Sequence, residues 1–511
     1  MKSDNLIKKF AIFGVLALCI CTRIAFITQK ESLHGDETVS LILAYNATGW
    51  GNRTYAEGQT YTSEELKSNL FVDDKGGMQG WIDDIVALWD DNRDPSHASL
   101  YYMLLRTSLI GQDECCYAPV IRRGCGLNIF LFIVSFLCMA ALLRKLLPDK
   151  PFSQAGILLL AYLNPLSVST SLFVREYQLA ECALTAFSLF AIHLAERINK
   201  GCNILTTNTV AIGSILSAIL LSAGYFNAIF AIMVCVCLIV KAWNKSHRQK
   251  TVLYFAITIS LSILLCIAIY KGFFNFTEDV RTAEVVDKAK GGDFLTNVIH
   301  SAKAGIKMIL FNVWGPILSI WVAILLATAI IKKKKINRMP YLWLFLTAFV
   351  WFVIVMLLST WKMTRYVAPC IPLLAVMPAF YILQMSRSEK WKYMPVLPLI
   401  ALQAWTLAGN RIEHLEKNNC GSFPADSRHL VLYTKVDQDR DMLTLIAPCM
   451  SGDQDCIIVS NTEAIESNKF STDSVTYVFA DNNIEKLQKM EGYQETTQFN
   501  DWMWIYKIKN K

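Results

Sequence analysis

Residues Lys9 to Thr28, KFAIFGVLALCICTRIAFIT, run shortly afterwards into His34-Gly35-Asp36-Glu37-Thr38, and the junction of these two stretches decides the fold class. The first stretch is almost wholly apolar, and about 20 such residues cross a hydrocarbon core of about 30 Å as a helix. It lacks a small-residue cleavage site and more apolar runs follow, so it reads as a retained first span rather than a removed signal peptide. Asp36 and Glu37 then fall where the chain leaves the bilayer. Adjacent carboxylates at such an edge repel one another and are partly desolvated, a setting that suits a carboxylate to proton abstraction. Taken alone, the pair reads more simply as ordinary acids of a wet loop.

Working outward, the 511 residues are 54% hydrophobic and only 18% charged, with a mean hydropathy of +0.35. That is too apolar for a soluble chain of this length and too evenly spread for one anchor, so the sequence predicts a polytopic α-helical membrane protein. The formal charge of +7 sits in short clusters between apolar runs, which marks it as a topology signal and not a nucleic-acid surface. Cys19, Cys21, Cys138, Cys182, Cys235, Cys237, Cys266 and Cys370 lie within apolar runs, where cysteine acts as a small hydrophobe. Cys420, Cys449 and Cys456 lie in a polar tail, where a Cys449–Cys456 disulfide is open if that tail is extracytoplasmic. Cys115-Cys116 has no partners at zinc-like spacing and receives no role.

Further spans are expected at Leu127–Leu147, Ala155–Phe173, Gln178–Ala195, Leu205–Leu221, Phe226–Val240, Val252–Tyr270, Met308–Ile331, Tyr341–Ser359, Val367–Leu383 and Met394–Leu407, about 11 transmembrane helices in all by the length rule. Lys8-Lys9, Arg144-Lys145, Arg197 with Lys200, Lys241–Lys250, Lys332–Lys335 and Arg387–Lys392 fall on alternate sides, and the positive-inside rule makes that side cytoplasmic. Residues 29–126, the loop 271–305 and everything after Asn410 then face outward. The large first extracytoplasmic loop, about 29–126, is long enough to need structure of its own. Its runs Trp81–Trp89 and Leu100–Leu105 have helical spacing and fit helices lying on the membrane interface.

The expected domains are a transmembrane domain at 1–410 and a small C-terminal α/β domain at 411–511, extracytoplasmic and accessory. In the latter, strand-like runs His429–Thr434, Cys456–Ser460, Val475–Ala480 and Trp502–Ile508 alternate with helical patterns at Gln438–Ile446 and Asn482–Met490, which argues for some parallel pairing. No Gly-rich phosphate loop opens either helix, so no nucleotide site is expected.

Four more features carry candidate chemistry. Asp94-Pro95-Ser96-His97 leads into Tyr101-Tyr102; His97 suits an anionic headgroup, and the tyrosines suit either a sugar face or the interfacial aromatic belt. Arg175-Glu176-Tyr177 is wedged between two apolar runs, where arginine is a snorkelling anchor or the counter-ion of a phosphate. Lys362-Met363-Thr364-Arg365-Tyr366 places cations on the side where the charge rule expects few. Arg23, inside the first span, must reach water or a partner. Outer carboxylates together with arginines at a membrane edge suit a reaction on a lipid-linked phosphate: cations hold the leaving phosphate while a carboxylate deprotonates an incoming hydroxyl.

The order of these features resembles the GT-C membrane glycosyltransferases, in the branch of the protein O-mannosyltransferases and the lipid A aminoarabinose transferase. The resemblance rests on the first span with Asp36-Glu37, His97-Ala98-Ser99-Leu100-Tyr101-Tyr102-Met103-Leu104-Leu105-Arg106, Arg175-Glu176-Tyr177, and Arg365-Tyr366 before Pro369 and Pro372, and it covers roughly residues 8 to 385. It implies a GT-C-like fold and a polyprenyl-phosphate sugar donor. The implied enzyme is a hexosyl- or pentosyltransferase acting with inversion on an extracytoplasmic lipid, glycan or protein acceptor, in the inner (plasma) membrane and the service of the cell envelope. By the same resemblance Asp36 is the candidate base, Glu37 its substrate-positioning neighbour, and His97, Arg175 and Arg365 face the donor phosphate, with Tyr101, Tyr102, Tyr177 and Tyr366 beside them. The family's Pro-Pro pair after the histidine is Ala98-Ser99 in this chain, which removes two φ constraints. Some relatives use a divalent metal, for which Asp36, Glu37, Asp94 and His97 offer ligands; arginines on the phosphate remove the need for one, and the cofactor stays open. A transporter or flippase, or a glycan ligase or polymerase, remains as an alternative reading, the first opposed by the absence of an internal repeat between halves.

Overall fold

A computed structural model of the chain describes residues 2–509 except 48–55, 57, 71–76, 113–116, 149, 244–247, 279–282, 287–293, 316–326, 328–338, 360, 386–400, 402, 406, 409–410, 418–419, 421–422, 425–426, 434–438, 467–474, 482–483 and 500–502. Cys115-Cys116, Lys332–Lys335, Arg387–Lys392, most of the expected span Met308–Ile331 and part of Met394–Leu407 lie outside the described residues. The chain divides into two compact units: one of Met1–Phe26, Trp89–Tyr101 and Cys125–Glu413, the other of Ile27–Leu88, Tyr102–Gly124 and His414–Lys511.

In chain order the helices begin with α1 (Lys2–Ile27), α2 (Gly35–Ala44), α3 (Ser63–Leu70), α4 (Gly77–Asp90), α5 (Leu100–Ser108) and α6 (Tyr117–Leu146). They continue with α7 (Pro151–Tyr162), α8 (Pro165–Leu172), α9 (Tyr177–Asn199), α10 (Thr207–Ser222), α11 (Asn227–Ala242) and α12 (Arg248–Ile269), and later with Phe294–Met308, Leu342–Leu358 and Ile371–Met385. Among the described residues, Ala118–Leu146, Tyr177–Asn199 and Arg248–Ile269 are each long and apolar enough to cross a membrane. Shorter apolar helices fall on the other expected spans near Ala11–Ile27, Thr207–Ser222, Asn227–Ala242, Leu342–Leu358 and Ala368–Tyr381. Small residues let neighbours approach closely: Gly213 on α10 faces Tyr254 and Thr258 of α12, and Ser262 donates across to the carbonyl of Ser214 at 3.2 Å.

The expected span Ala155–Phe173 is not one helix. It is α7 and α8, bent by 61°, because Pro165 has no N–H to continue the ladder and Asn164 caps the new helix by accepting from the Ser167 N–H at 2.9 Å. A break inside an apolar body frees carbonyls that must find donors, and Arg23 answers that need. Fully buried, it donates to Tyr162 O at 3.1 Å, Ser167 O at 3.2 Å and Ser171 Oγ at 2.8 Å, with its guanidinium 3.7 Å from the centre of the Phe132 ring. The arginine of the first span thus closes the broken one.

The second unit holds a six-stranded sheet of β1 (Thr60–Thr62), β2 (His429–Tyr433), β3 (Asp455–Val459), β4 (Val475–Asp481), β5 (Tyr493–Gln498) and β6 (Met503–Lys509), in the order β1-β3-β2-β4-β6-β5. β2 runs parallel to both β3 and β4, and the outer pairings are antiparallel. Both faces are covered, as central parallel strands require. Val431, Ile457, Val459, Val478, Tyr506 and Ile508 bury one side, and Phe479 meets Phe423 and Phe499 on the other, with centroids 5.4 and 5.6 Å away. Four strands fall where β-rich runs were expected; β5, and β1 contributed by the first loop, were not foreseen.

The tail's disulfide joins Cys420 to Cys449, not Cys449 to Cys456. Cys456 stands on β3 with its side chain fully buried, so it serves the core. The bridge spans a sequence separation of 29 residues, and closing such a loop constrains the unfolded chain by about 3.6 kcal/mol. Cys420→Ser is therefore expected to lower the denaturant midpoint of the sheet-bearing unit, read by tryptophan fluorescence, with no change in the helical content of the remainder.

Candidate functional site

Two polar clusters hold the residues that the sequence singled out, one in each unit. In the first unit, side-chain hydrogen bonds shape the loop before α5. The Asp94 N–H donates to Asn92 Oδ1 at 3.0 Å, Asn92 Nδ2 donates to His97 O at 2.7 Å, and the Tyr270 hydroxyl anchors Asn92 Oδ1 at 3.1 Å. These bonds fix the loop around His97. His97 is thereby set between two acids: Nδ1 is 2.9 Å from Asp94 Oδ2 and Nε2 is 3.2 Å from Glu176 Oε1. Arg175 Nε lies 3.3 Å from Glu176 Oε2, and its Nη2 lies 4.0 Å from Asp94 Oδ2.

Burial alone would lower the pKa of His97, but the Asp94 and Glu176 carboxylates outweigh both burial and the repulsion from Arg175 and hold it up at about 9. The imidazole is therefore an imidazolium at neutral pH and donates from both nitrogens. The 3.3 Å approach of Arg175 Nη2 to His97 Nε2 is then two cations sharing acids, not a hydrogen bond between them. Burial would raise Glu176, yet Arg175 and His97 hold it down at about 2. The raised His97 contributes stability that is complete below its ordinary value of 6.5 and is lost as pH rises through about 9, whereas the Glu176 contribution is present above 4.5 and lost as pH falls toward about 2. Melting of the detergent-solubilised protein should fall between about pH 6.5 and 9, and the difference between wild type and His97→Asn should shrink over the same interval; a constant difference would remove the paired imidazolium.

Arg365 stands in a short turn, Thr364–Tyr366, with its guanidinium 5.6 Å from the Phe173 ring and 5.6 Å from the Tyr366 ring. Tyr177 stacks on Phe173 at 5.8 Å and approaches Tyr366 at 6.3 Å. Arg175, Tyr177, Arg365 and Tyr366 are thus gathered around one turn, Phe173–Glu176. Lys362 acts instead as a cap: its Nζ donates to the Leu357 and Ser359 carbonyls at 3.2 and 2.9 Å, closing the end of the helix Leu342–Leu358. Tyr101 and Tyr102 are buried at 0% and 1% exposure, so neither offers a ring face at a surface; the Tyr101 hydroxyl donates to Asn128 Oδ1 at 3.0 Å.

In the second unit, Asp36 and Glu37 open α2 and part company. Glu37 is fully buried, accepting from Lys30 Nζ at 2.8 Å and from the His34 N–H at 2.7 Å. Lys30 also donates to His414 O at 2.8 Å, which ties down a residue at φ 67. Asp36 points outward with 38% of its side chain exposed. Its own N–H donates to His34 Nδ1 at 3.2 Å, which places the proton of a neutral His34 on Nε2. The His414 ring meets that of His34 at 6.0 Å, edge to face. Glu37 is therefore the cap of α2 and the partner of Lys30, while Asp36 is the accessible acid. Among the described residues, no group of three or more His, Cys, Asp or Glu is arranged to hold a metal ion. Sequence reasoning missed Lys30, His34, His414 and Asn128; only the His34-x-x-Glu37 spacing, a capping-box pattern, signalled any of them.

The fold that carries the apolar helices, the broken span and these clusters is one seen before. Two solved structures share it across nearly their whole length. The crystal structure of ArnT from Cupriavidus metallidurans bound to undecaprenyl phosphate superposes with a TM-score of 0.51 at 11% identity, covering 97% of this chain and 97% of that one. The apo structure of the same ArnT gives a TM-score of 0.50 at 10% identity over 99% and 98%. No protein-family model matches the chain, and no curated protein matches it in sequence.

Proposed function

We propose that this chain is a membrane glycosyltransferase that moves a sugar, hexosyl or pentosyl, from a polyprenyl-phosphate donor to an acceptor outside the cytoplasm, with inversion. The observation that carries the reading is the convergence of Arg175 and Arg365, singled out independently from sequence, on the one turn Phe173–Glu176. A guanidinium with five N–H donors binds a phosphate while keeping an acid neighbour, so Arg175 and Arg365 neutralise the departing lipid phosphate, assisted by the His97 imidazolium. Phe173, Tyr177 and Tyr366 supply aromatic faces for the sugar or the first prenyl unit. Asp36 is the base that deprotonates the acceptor hydroxyl, and Glu37, through Lys30 and His34, fixes the helix end that carries it. The proposed setting is the inner (plasma) membrane, with about 11 spans, an extracytoplasmic site and an extracytoplasmic C-terminal α/β domain; the Cys420–Cys449 disulfide supports that side for the tail. The bound undecaprenyl phosphate of the Cupriavidus ArnT makes the same carrier the first donor lipid to test.

The test is purified chain in proteoliposomes with undecaprenyl-phosphate sugars, scored both for transfer and for binding of undecaprenyl phosphate. Arg365→Ala is expected to weaken binding by on the order of 2–5 kcal/mol, at least about thirtyfold. Binding at the wild-type level in that variant would remove Arg365 from the phosphate site.

A further inference from the structure

Asn128, on α6, is a polar side chain at 0% exposure in the middle of an apolar body, and the reaction proposed above makes no use of it. Its bonds are specific. Nδ2 donates to Phe173 O at 2.7 Å and to Ser171 O at 3.3 Å, while Oδ1 accepts from the Tyr101 hydroxyl at 3.0 Å. Two carbonyls on one side fix which way the amide points, since only the NH2 end can serve them. The carbonyls belong to the end of α8 and to the turn that follows, where the Arg175 N–H closes back on Phe173 O at 2.8 Å. Tyr101 belongs to the segment that carries His97. One amide therefore joins the segment bearing His97 to the turn bearing Arg175 and Glu176.

We infer that Asn128, with Tyr101, is a positioning residue of this enzyme: it sets the register between His97 on one segment and Arg175-Glu176 on the other, and so holds the phosphate-binding cations in their working arrangement. The inference rests on the glycosyltransferase reading for its activity readout and on the geometry alone for its spectroscopic one. The contacts involved are short and need tight placement: Nε2 of His97 is 3.2 Å from Glu176, so a shift of an ångström or so lengthens it beyond hydrogen-bond reach. Neighbouring bonds brace the same stretch, as Cys125 Sγ meets Leu172 O at 3.5 Å and Ser171 Oγ accepts from Arg23 while donating to Gln178 Oε1 at 2.7 Å. Those bonds hold α8 in the body, whereas the Asn128 amide also reaches the segment of His97.

The experiment compares Tyr101→Phe, which removes one hydroxyl, and Asn128→Leu, which keeps the branched outline and removes all three bonds, in the full-length reconstituted protein. Undecaprenyl phosphate is the ligand, and His97 is followed by NMR of histidine-labelled protein, with His97→Asn identifying its resonance. The groups facing His97 are Asp94 on its own loop and Arg175 and Glu176 from the turn before α9. Decoupling that turn should move the titration of His97 down toward the ordinary imidazole value. It should also raise the donor KM by tenfold or more in Asn128→Leu, with a smaller change in the same direction in Tyr101→Phe, at little cost in kcat. An unmoved His97 titration with unchanged undecaprenyl phosphate binding in either folded variant overturns the inference. Tyr101→Phe, the milder change, keeps the test available if Asn128→Leu does not fold. Arg175→Gln separates the two levels: if it leaves donor binding intact the glycosyltransferase reading of the turn fails, whereas if it abolishes binding while Asn128→Leu keeps wild-type KM and titration, only the positioning role falls.

Discussion

Asp36→Asn should lower transfer at saturating donor by about 10²–10⁴-fold, the usual worth of a positioned general base, while leaving the fold intact. The second half of that expectation comes from geometry. The Asp36 side chain is 38% exposed, and the bonds that close the start of α2 run through His34 and Glu37. Its position in the first turn adds only the helix-end term, about 0.3–1 kcal/mol for a surface carboxylate. Asparagine keeps the shape and loses the proton affinity, so a normal melting curve with absent turnover is the predicted pair. Glu37→Gln inverts it. Lys30 would be left buried without its anion, a loss of about 3–5 kcal/mol, so stability suffers first. Wild-type transfer by Asp36→Asn would sink the base assignment.

Arg175→Gln carries the other large effect, and it falls on two quantities at once. Removing one partner of a buried, hydrogen-bonded charge cluster costs about 3–5 kcal/mol; Glu176 is 7% exposed and would keep only His97 as a cation. Donor binding should be lost together with stability. The second-site change Glu176→Gln separates them, since Arg175→Gln/Glu176→Gln has neither charge to strand and should regain most of the melting temperature. Binding of undecaprenyl phosphate should not return in the double variant. If it does, Arg175 is a structural ion and the phosphate lies elsewhere.

The parts of the fold set by local chemistry were legible in the sequence. Apolar runs of membrane length read as helices, and the strands β2, β3, β4 and β6 fell near the expected runs because each is a short β-branched or aromatic stretch between turn residues. The break at Leu163-Asn164-Pro165 was written just as plainly, as a cap residue followed by proline, but the length rule ran over it. What could not be read was partnership across long separations. Arg23 and Ser171 are 148 residues apart, Lys30 and His414 are 384 apart, and no local pattern links either pair. The Cys420–Cys449 bridge escaped for the same reason, because spacing alone does not choose among three cysteines. At the candidate site, Arg175 and Arg365 stood out in the sequence because cations at a membrane edge are costly enough to need a purpose, and Tyr177 and Tyr366 came with them through the resemblance. The burial of Glu37 was not legible because adjacent carboxylates look alike on paper, whereas one of the two helical positions turns inward and the other outward.

The bond between Arg23 and the broken span also bears on how the chain is made. An arginine in an inserting helix is costly, up to about 2.5–3.5 kcal/mol at the bilayer centre and less toward a helix end, and the serines and carbonyls that relieve it are synthesised 139 to 148 residues later. At about 5–20 residues per second that is a wait of roughly 7–30 s. During it the first helix must be carried by its remaining apolar residues, with the arginine, four residues from the helix end at Ile27, extended toward the headgroups. Formation of the break between α7 and α8 then supplies its buried partners. The amino-terminal helix is therefore expected to be held weakly until α8 arrives, and substitutions at Ser167 or Ser171 should appear as defects in its assembly.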